Sequence, residues 1–560
     1  MKDDETKYNI PEMEAIAIEV RNNIKTLGPK TTKGKAFESV CHSWICNKNL
    51  ADFILDDTDG NSEFGIDSIN IEKKGNGRYI IRILSCKYSG GFSYLHVDKM
   101  EKGLKKIFYE DGYKTLINKN LKKKIEKIRE IKSKIQDVKI YYCVNSGFNL
   151  DESDDTDECV KSKKDLLKEL AKIFDKKYSK DVNIDFSFFN AKAIYEKRIR
   201  NENPLSKRND IRIKYKENIN EFSKNKKVDL SGGKIEGGII TVSAIELKRL
   251  LKECGDWIFH YNIRKFKGEN FVNNGIKDTI KSEAKEQFWF LNNGIVLVCE
   301  SASLIGAKND VISVKYPQVV NGQQTLKIIE LFSDKDLLGI DIIVRVYVTD
   351  NEGFFSNIAF ATNSQSKVDF SDISSNKSEQ QAIKAVFEYY GYYYKNKKGH
   401  EKKIFKVGTD SKTLGRISLA TINNKPTMGR KTVRDSIIFS EDNYFKLYNG
   451  DPLLLLLAFL IYNYCRKMDP GIKKIVSIEN EIKHFGYFHL TFLIWKSLKG
   501  AIGKRESITK LIKTNNFNDF YNKAYSKLED IIIKEIKKSK EGIILKDYFS
   551  NEDLDKLLLK

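Results

Sequence analysis

The chain has little of what builds metal clusters, disulfide frameworks or membrane spans. Among its 560 residues are eight cysteines and six histidines. The cysteines stand at 41, 46, 86, 143, 159, 254, 299 and 465, with no CxxC pair and no Cys/His group at zinc spacing. His42 lies beside Cys41 with Cys46 nearby, but the sequence offers no fourth partner. His484 and His489 are five apart and do not share a helix face, so they read as core or surface histidines. Scattered cysteines of this kind suit reduced thiols in the cytosol. The longest apolar run, Leu453 to Ile461, is too short to cross a bilayer and reads as a buried helix. The opening MKDDETKYNI is too polar for a signal peptide. These absences lead us to expect a cytoplasmic protein with no membrane partner.

Basic charge, by contrast, is abundant. Lys and Arg number 98 against 77 Asp and Glu, a formal net charge of +21. Such an excess suits a polyanionic partner, because neutralised phosphates drive nucleic-acid binding. A Lys, Asn and Ile bias is also what an AT-rich genome produces without selection for binding. At this length two to four domains are expected, each able to bury an ordinary core.

The N-terminal stretch reads as helix, hairpin, helix, strand, helix, strand, a mixed α/β sheet flanked by helices. EMEAIAIEVRNNI has helical periodicity, and Phe37, Val40, Cys41, Trp44 and Ile45 recur on one helical face with Glu38 beside it. Leu121, Ile125 and Ile128 mark a basic helix. It is either a nucleic-acid-facing surface or a solvated face. Val138–Val144 and 182–189 read as strands. DESDDTDE at 151–158 lacks EF-hand spacing and reads as a solvated loop. Residues 196–218 carry almost no apolar periodicity and read as linker. The expected division is 1–195, a linker over 196–237, a core over 238–430 and a helical region over 431–560.

Gly65 to Ser89, GIDSINIEKKGNGRYIIRILSCKYS, reads as a β-hairpin about Gly75-Asn76-Gly77. Hairpin register sets Asp67 opposite Ser85 and projects Lys87 from the same face, with Ile69, Ile71, Ile81 and Ile83. A carboxylate and an ammonium on an apolar ribbon form either a structural salt bridge or part of a metal-dependent site. Glu72-Lys73-Lys74 also spells ExK, but it borders the turn and is set aside.

In this order of elements, Gly34–Glu38, Gly65-Ile66-Asp67 and Ser85-Cys86-Lys87 resemble the PD-(D/E)xK nuclease fold in its Mrr-like restriction endonuclease branch. The resemblance covers about residues 30–190. It implies Asp67 as metal-binding aspartate, Glu38 as a second acid, Lys87 as catalytic lysine and the Cys86 carbonyl as a further ligand. The implied cofactor is Mg²⁺ or Mn²⁺, and the implied reaction is phosphodiester hydrolysis of DNA or RNA. Ser85 departs from the family, standing where it has Glu or Gln. Either Glu38 substitutes for the lost acid, or metal binding is weak, or the domain only binds nucleic acid.

From about 238 amides gather beside glycine turns. Such a cluster either builds a rigid polar network or reads a ligand. FWFLNNGI, PQVVNGQQT, ATNSQSKV and YGYYYKNKKG resemble the AIPR (abortive infection phage resistance) family over about 240–500. That resemblance implies a bacterial antiphage role; the domain is expected to be α+β, and about 430–560 reads as mostly helical from its apolar runs. NGQQT also resembles the DGQHR-type motif of ParB-like proteins. It either presents backbone N–H groups to a phosphate or starts a helix after a strand. Candidate ligand or nucleic-acid contacts are Arg264, Asn292, Asn293, Asn321, Gln323, Gln324, Thr325, Asn363 and Gln365, with Arg345, Arg416 and Arg430 as further phosphate contacts. The amphipathic tail ILKDYFSNEDLDKLLLK reads as docking on the body or on a partner. The expectation is a defence effector: a nuclease with nucleic-acid substrate, open to homo-oligomerisation and to a phage-derived or nucleotide trigger. The alternative is a catalytically degenerate binding or nucleotide-sensing regulator.

Overall fold

The computed structural model describes residues 10–559 apart from short internal stretches, the longest being 219–227, 263–270, 363–376 and 397–404. The chain opens with three helices, α1 (Pro11–Leu27), α2 (Lys33–Cys46) and α3 (Leu50–Asp56). Thr32 and Asn49 start the second and third by accepting backbone N–H bonds at their N-caps. There follow β1 (Ser68–Lys73), β2 (Tyr79–Lys87), α4 (Tyr94–Phe108), α5 (Lys119–Glu130), β3 (Ile135–Val144), α6 (Glu158–Lys177), β4 (Asn183–Phe189) and α7 (Ala191–Glu202). The hairpin forms as its register requires: β1 and β2 are antiparallel with Ser68 opposite Leu84 and Ile69 opposite Ile83. Strands β3 and β4 extend the sheet in parallel, in the order β1-β2-β3-β4.

Alternation along the strands divides two cores. Ile69, Ile81, Ile83 and Tyr142 pack with α4, α5 and α6 on one face. Leu84, Tyr141 and Cys143 pack with Phe37, Val40 and Cys41 of α2 and with α1 and α7 on the other. Burying an apolar side chain on such faces stabilises by about 1.5–3 kcal/mol. Asp157 of the acidic loop caps α6 through the N–H groups of Cys159 and Val160. Glu72 is held by Lys74 and Arg82, a local ion-pair cluster beside the turn.

Within residues 196–218, α7 runs on to Glu202 and packs against α1 and α2, a short turn follows at Pro204–Lys207, and β5 (Ile211–Lys214) and β6 (Glu217–Asn218) come next. The low periodicity reflects the brevity of β5, whose four residues bury only Ile211 and Ile213 and whose partner strand lies about a hundred residues later. Next come β7 (Val228–Leu230), β8 (Gly233–Ser243), β9 (Ile295–Cys299), β10 (Ser301–Ile305), β11 (Val311–Lys315), β12 (Gln318–Asn321) and β13 (Asp341–Val348). One sheet runs β12-β9-β13-β8-β6, with β7 also on β8, and a smaller one runs β10-β11-β5.

The C-terminal part is helical around Pro452–Lys467, whose leucine run is buried as expected. The tail docks on the body: Leu554 and Leu558 are buried, and Asp555 accepts from the Thr427 hydroxyl at 2.6 Å. No described helix is long and apolar enough to cross a membrane.

Helix α1 joins these parts. Ile16 and Val20 enter the core over the first sheet, Ile18 the C-terminal helical core, and Ala15 packs with Tyr195 and Ala382. Glu14 pairs with Arg21 at 3.0 Å and with Arg505. Buried Glu12 is the exception: burial, then the charge of Glu379, raise its pKa to about 7. An acid raised in the fold is protonated there after the unfolded chain has lost its proton. Stability from this group therefore falls as pH rises from about 4.5 to about 7. Glu12→Gln is expected to be the more stable protein at pH 8, on the order of 2 kcal/mol, and to match the parent near pH 4.5. Thermal melts at the two pH values check this, and parallel pH profiles would assign the loss to another group.

Candidate active site

Asp67 is held by backbone bonds on both sides. Its N–H donates to Leu84 O and its carbonyl accepts from Thr58 N–H, each at 2.9 Å. Gly65, at φ +76°, makes the turn that delivers it to β1. The carboxylate then crosses the hairpin, Oδ2 accepting from Cys86 N–H at 2.6 Å. This ties the first aspartate to the strand that carries Ser85 and Lys87.

Buried Ser85 faces α4, its Oγ 2.6 Å from His96 Nε2. Burial, then the charges of Lys87 and Lys99, lower the His96 pKa to about 4. The imidazole is thus neutral at physiological pH. It engages the hydroxyl of a side chain too short to replace a carboxylate. Lys87 is half-buried at the end of β2, where its carbonyl accepts from Asn145 N–H.

Glu38 approaches from the other face, on α2. Its Oε2 accepts from Lys35 Nζ at 3.0 Å, and the same ammonium reaches Asp57 Oδ1 at 2.6 Å. Asp57 bridges to Ser68, the neighbour of Asp67, so both groups converge on the head of the hairpin. Burial opposes the charge of Lys35, but Asp57 and Glu38 outweigh it and raise its pKa.

Asp67, Glu38 and Asp57 are hard oxygen donors of the kind Mg²⁺ or Mn²⁺ takes. A divalent ion binding at Glu38 has to compete with Lys35. Sequence reasoning missed Lys35, Asp57 and His96. Lys35 was signalled by its i,i+3 spacing to Glu38. Asp57 and His96 reach the site only through tertiary contacts.

The amide-rich motifs also converge. Asn292 Nδ2 donates to Thr325 Oγ1 at 3.2 Å, while its Oδ1 accepts from Gly294 N–H at 2.9 Å. Asn321 Nδ2 donates to the carbonyl of Thr362. Gly322 begins the helix Gln323–Ile329 at φ 101°, and an added Cβ would lie 2.8 Å from Ile295 Cγ1. NGQQT is therefore a strand-to-helix turn in which glycine is required by conformation and by space. Gln324 is half-buried on that helix and Asn293 is exposed. Gln323 Oε1 is buried without a hydrogen-bond partner among the described residues. Asn363, Gln365 and Arg264 lie outside the described residues.

Arg416 and Arg430 bond to backbone carbonyls of the C-terminal part. Arg416 donates to the carbonyls of Gly429 and Arg430, and Arg430 to that of Lys546. Arg345 is exposed on β13.

The fold is that of a mixed α/β protein with several small sheets and a helical C-terminal part. Residues 259–443 match the family model described as AIPR protein. No curated protein and no solved structure matches the chain.

Replacing Lys87 with Met removes one of the two charges acting on His96. The His96 pKa is expected to rise from about 4 toward the ordinary imidazole range. NMR titration of the six histidines reads this directly. An unmoved value would assign the whole depression to burial and Lys99.

Proposed function

We propose that the protein is an antiphage defence effector of the abortive-infection type, with an N-terminal PD-(D/E)xK, Mrr-like nuclease unit. The AIPR match over 259–443 supports the defence role. The nuclease reading rests chiefly on the carboxylate of Asp67 accepting from Cys86 N–H beside Lys87, at the end of a mixed sheet. Asp67 and Glu38, with the Cys86 carbonyl, would hold Mg²⁺ or Mn²⁺, which supplies an acidified water and a polarised phosphate when bound. Lys87 orients the attacking water and offsets charge developing on the phosphate. The basic face of α5, with Lys119, Lys122 and Lys123, offers backbone contacts to DNA or RNA. The NGQQT turn and its neighbours Asn292, Asn321 and Thr325 form the platform for a trigger, phage-derived or nucleotide.

A second reading is favoured by two contacts. Ser85 is bonded to a neutral His96, and Lys35 stands between Glu38 and Asp57. A site with these features holds nucleic acid without cutting it.

One experiment separates the readings. Wild type, Asp67→Ala and Lys87→Ala are incubated with plasmid DNA, single-stranded DNA and RNA, with Mg²⁺ or chelator, and assayed in parallel for phage protection. The nuclease reading expects Mg²⁺-dependent degradation that each substitution reduces about 10²-fold or more, with protection lost and folding intact. Salt-sensitive binding with no degradation by wild type would establish the second reading instead. Equal cleavage by all three proteins would remove these residues from the chemistry.

A further inference from the structure

Directly behind Ser85 and Lys87, three thiols meet. Cys41 comes from α2, Cys86 from β2 and Cys143 from β3, and their Sγ atoms lie within 4.8 Å of one another. The arrangement follows from the fold. Cys86 and Cys143 occupy paired positions on parallel neighbouring strands and so project from one face, and α2 lays Cys41 across them. Phe37, Val40, Leu84 and Tyr141 surround the group.

We propose that Cys41, Cys86 and Cys143 form a binding site for one thiophilic d¹⁰ cation, Cu⁺ or Zn²⁺. A metal–thiolate bond is about 2.3 Å long, so three sulfurs around one ion stand about 4 Å apart. The thiols therefore reach ligand geometry by small side-chain rotations, without moving a strand. The donor set is all sulfur, which selects soft ions and rejects Mg²⁺ and Ca²⁺. The surrounding apolar side chains keep bulk water from the sulfurs. Three donors satisfy trigonal Cu⁺, whereas Zn²⁺ takes a fourth ligand in its usual sites. The ion would tie α2 to the two central strands and steady Cys86, whose N–H holds Asp67. The inference is independent of whether Asp67 and Lys87 support cleavage.

The full-length protein, reduced and kept anaerobic, is incubated with one equivalent of Cu⁺ or of Zn²⁺, freed of loose metal by gel filtration and assayed by elemental mass spectrometry. Wild type is expected to retain about one equivalent of at least one of the two ions and to melt at a higher temperature with it. Cys41→Ser and Cys143→Ser are expected to lose about tenfold or more in affinity, while Cys159→Ser keeps the parent value. Circular dichroism establishes that each variant folds. Should the serine variants not fold, Co²⁺-loaded wild type decides, since thiolate ligation gives intense near-ultraviolet charge-transfer bands. Folded, reduced wild type that retains neither ion overturns the proposal, and so does full retention by folded Cys41→Ser and Cys143→Ser.

Discussion

The alternation of side chains along β2 is the constraint on which the N-terminal unit depends. Every second residue faces α4 and the basic α5, and the others face α1, α2 and α7. Ile83, Ser85 and Lys87 fall on one side, Leu84 and Cys86 on the other. A slip of one residue would exchange the two sets, burying Lys87 under α2 and turning Leu84 toward α4. The parallel pairing with β3 makes that slip costly, because Tyr141, Tyr142 and Cys143 alternate in step. The same register sets the Cys86 N–H against Asp67 and places the Cys86 thiol beside Cys143. Ser85 and Lys87 on one side and the thiol group on the other thus share one strand.

Helix α1 extends this order to the rest of the molecule. It has no polar face free for solvent along much of its length, since Ile16 and Val20 enter one core and Ile18 another. The carboxylates it buries are therefore set against the opposite end of the chain. Glu14 meets Arg505, which compensates its charge, whereas Glu12 meets Glu379, which does not. Burial of this carboxyl, and then the like charge of Glu379, cost stability as pH rises toward about 7.

Much of this was legible in the residues. Ile69, Ile71, Ile81 and Ile83 about a glycine-asparagine turn specify a hairpin, and turn length specifies its register. Phe37, Val40, Cys41 and Ile45 specify a helix with one buried face. The leucine run after Pro452 specifies a buried helix by length alone. The strands within 196–218 show no period because β5 and β6 are short and are stabilised by partners roughly a hundred residues later or by β8. The polar partners of the site were equally hidden. His96 and Asp57 acquire their roles only when α4 covers Ser85 and when the chain after α3 pairs with Ser68.

By itself, then, the sequence determined the longer periodic elements of the N-terminal unit, the hairpin register and the residue types at its head, because periodicity and turn chemistry act over a few neighbouring residues. Tertiary structure alone decided which charges meet. It set Lys35 between Glu38 and Asp57, closed His96 onto Ser85, gathered Cys41, Cys86 and Cys143, and paired Glu12 with Glu379. Electrostatics and ligation depend on distances of a few ångströms between side chains far apart in sequence. Those distances follow from how sheets and helices pack, which no local pattern encodes.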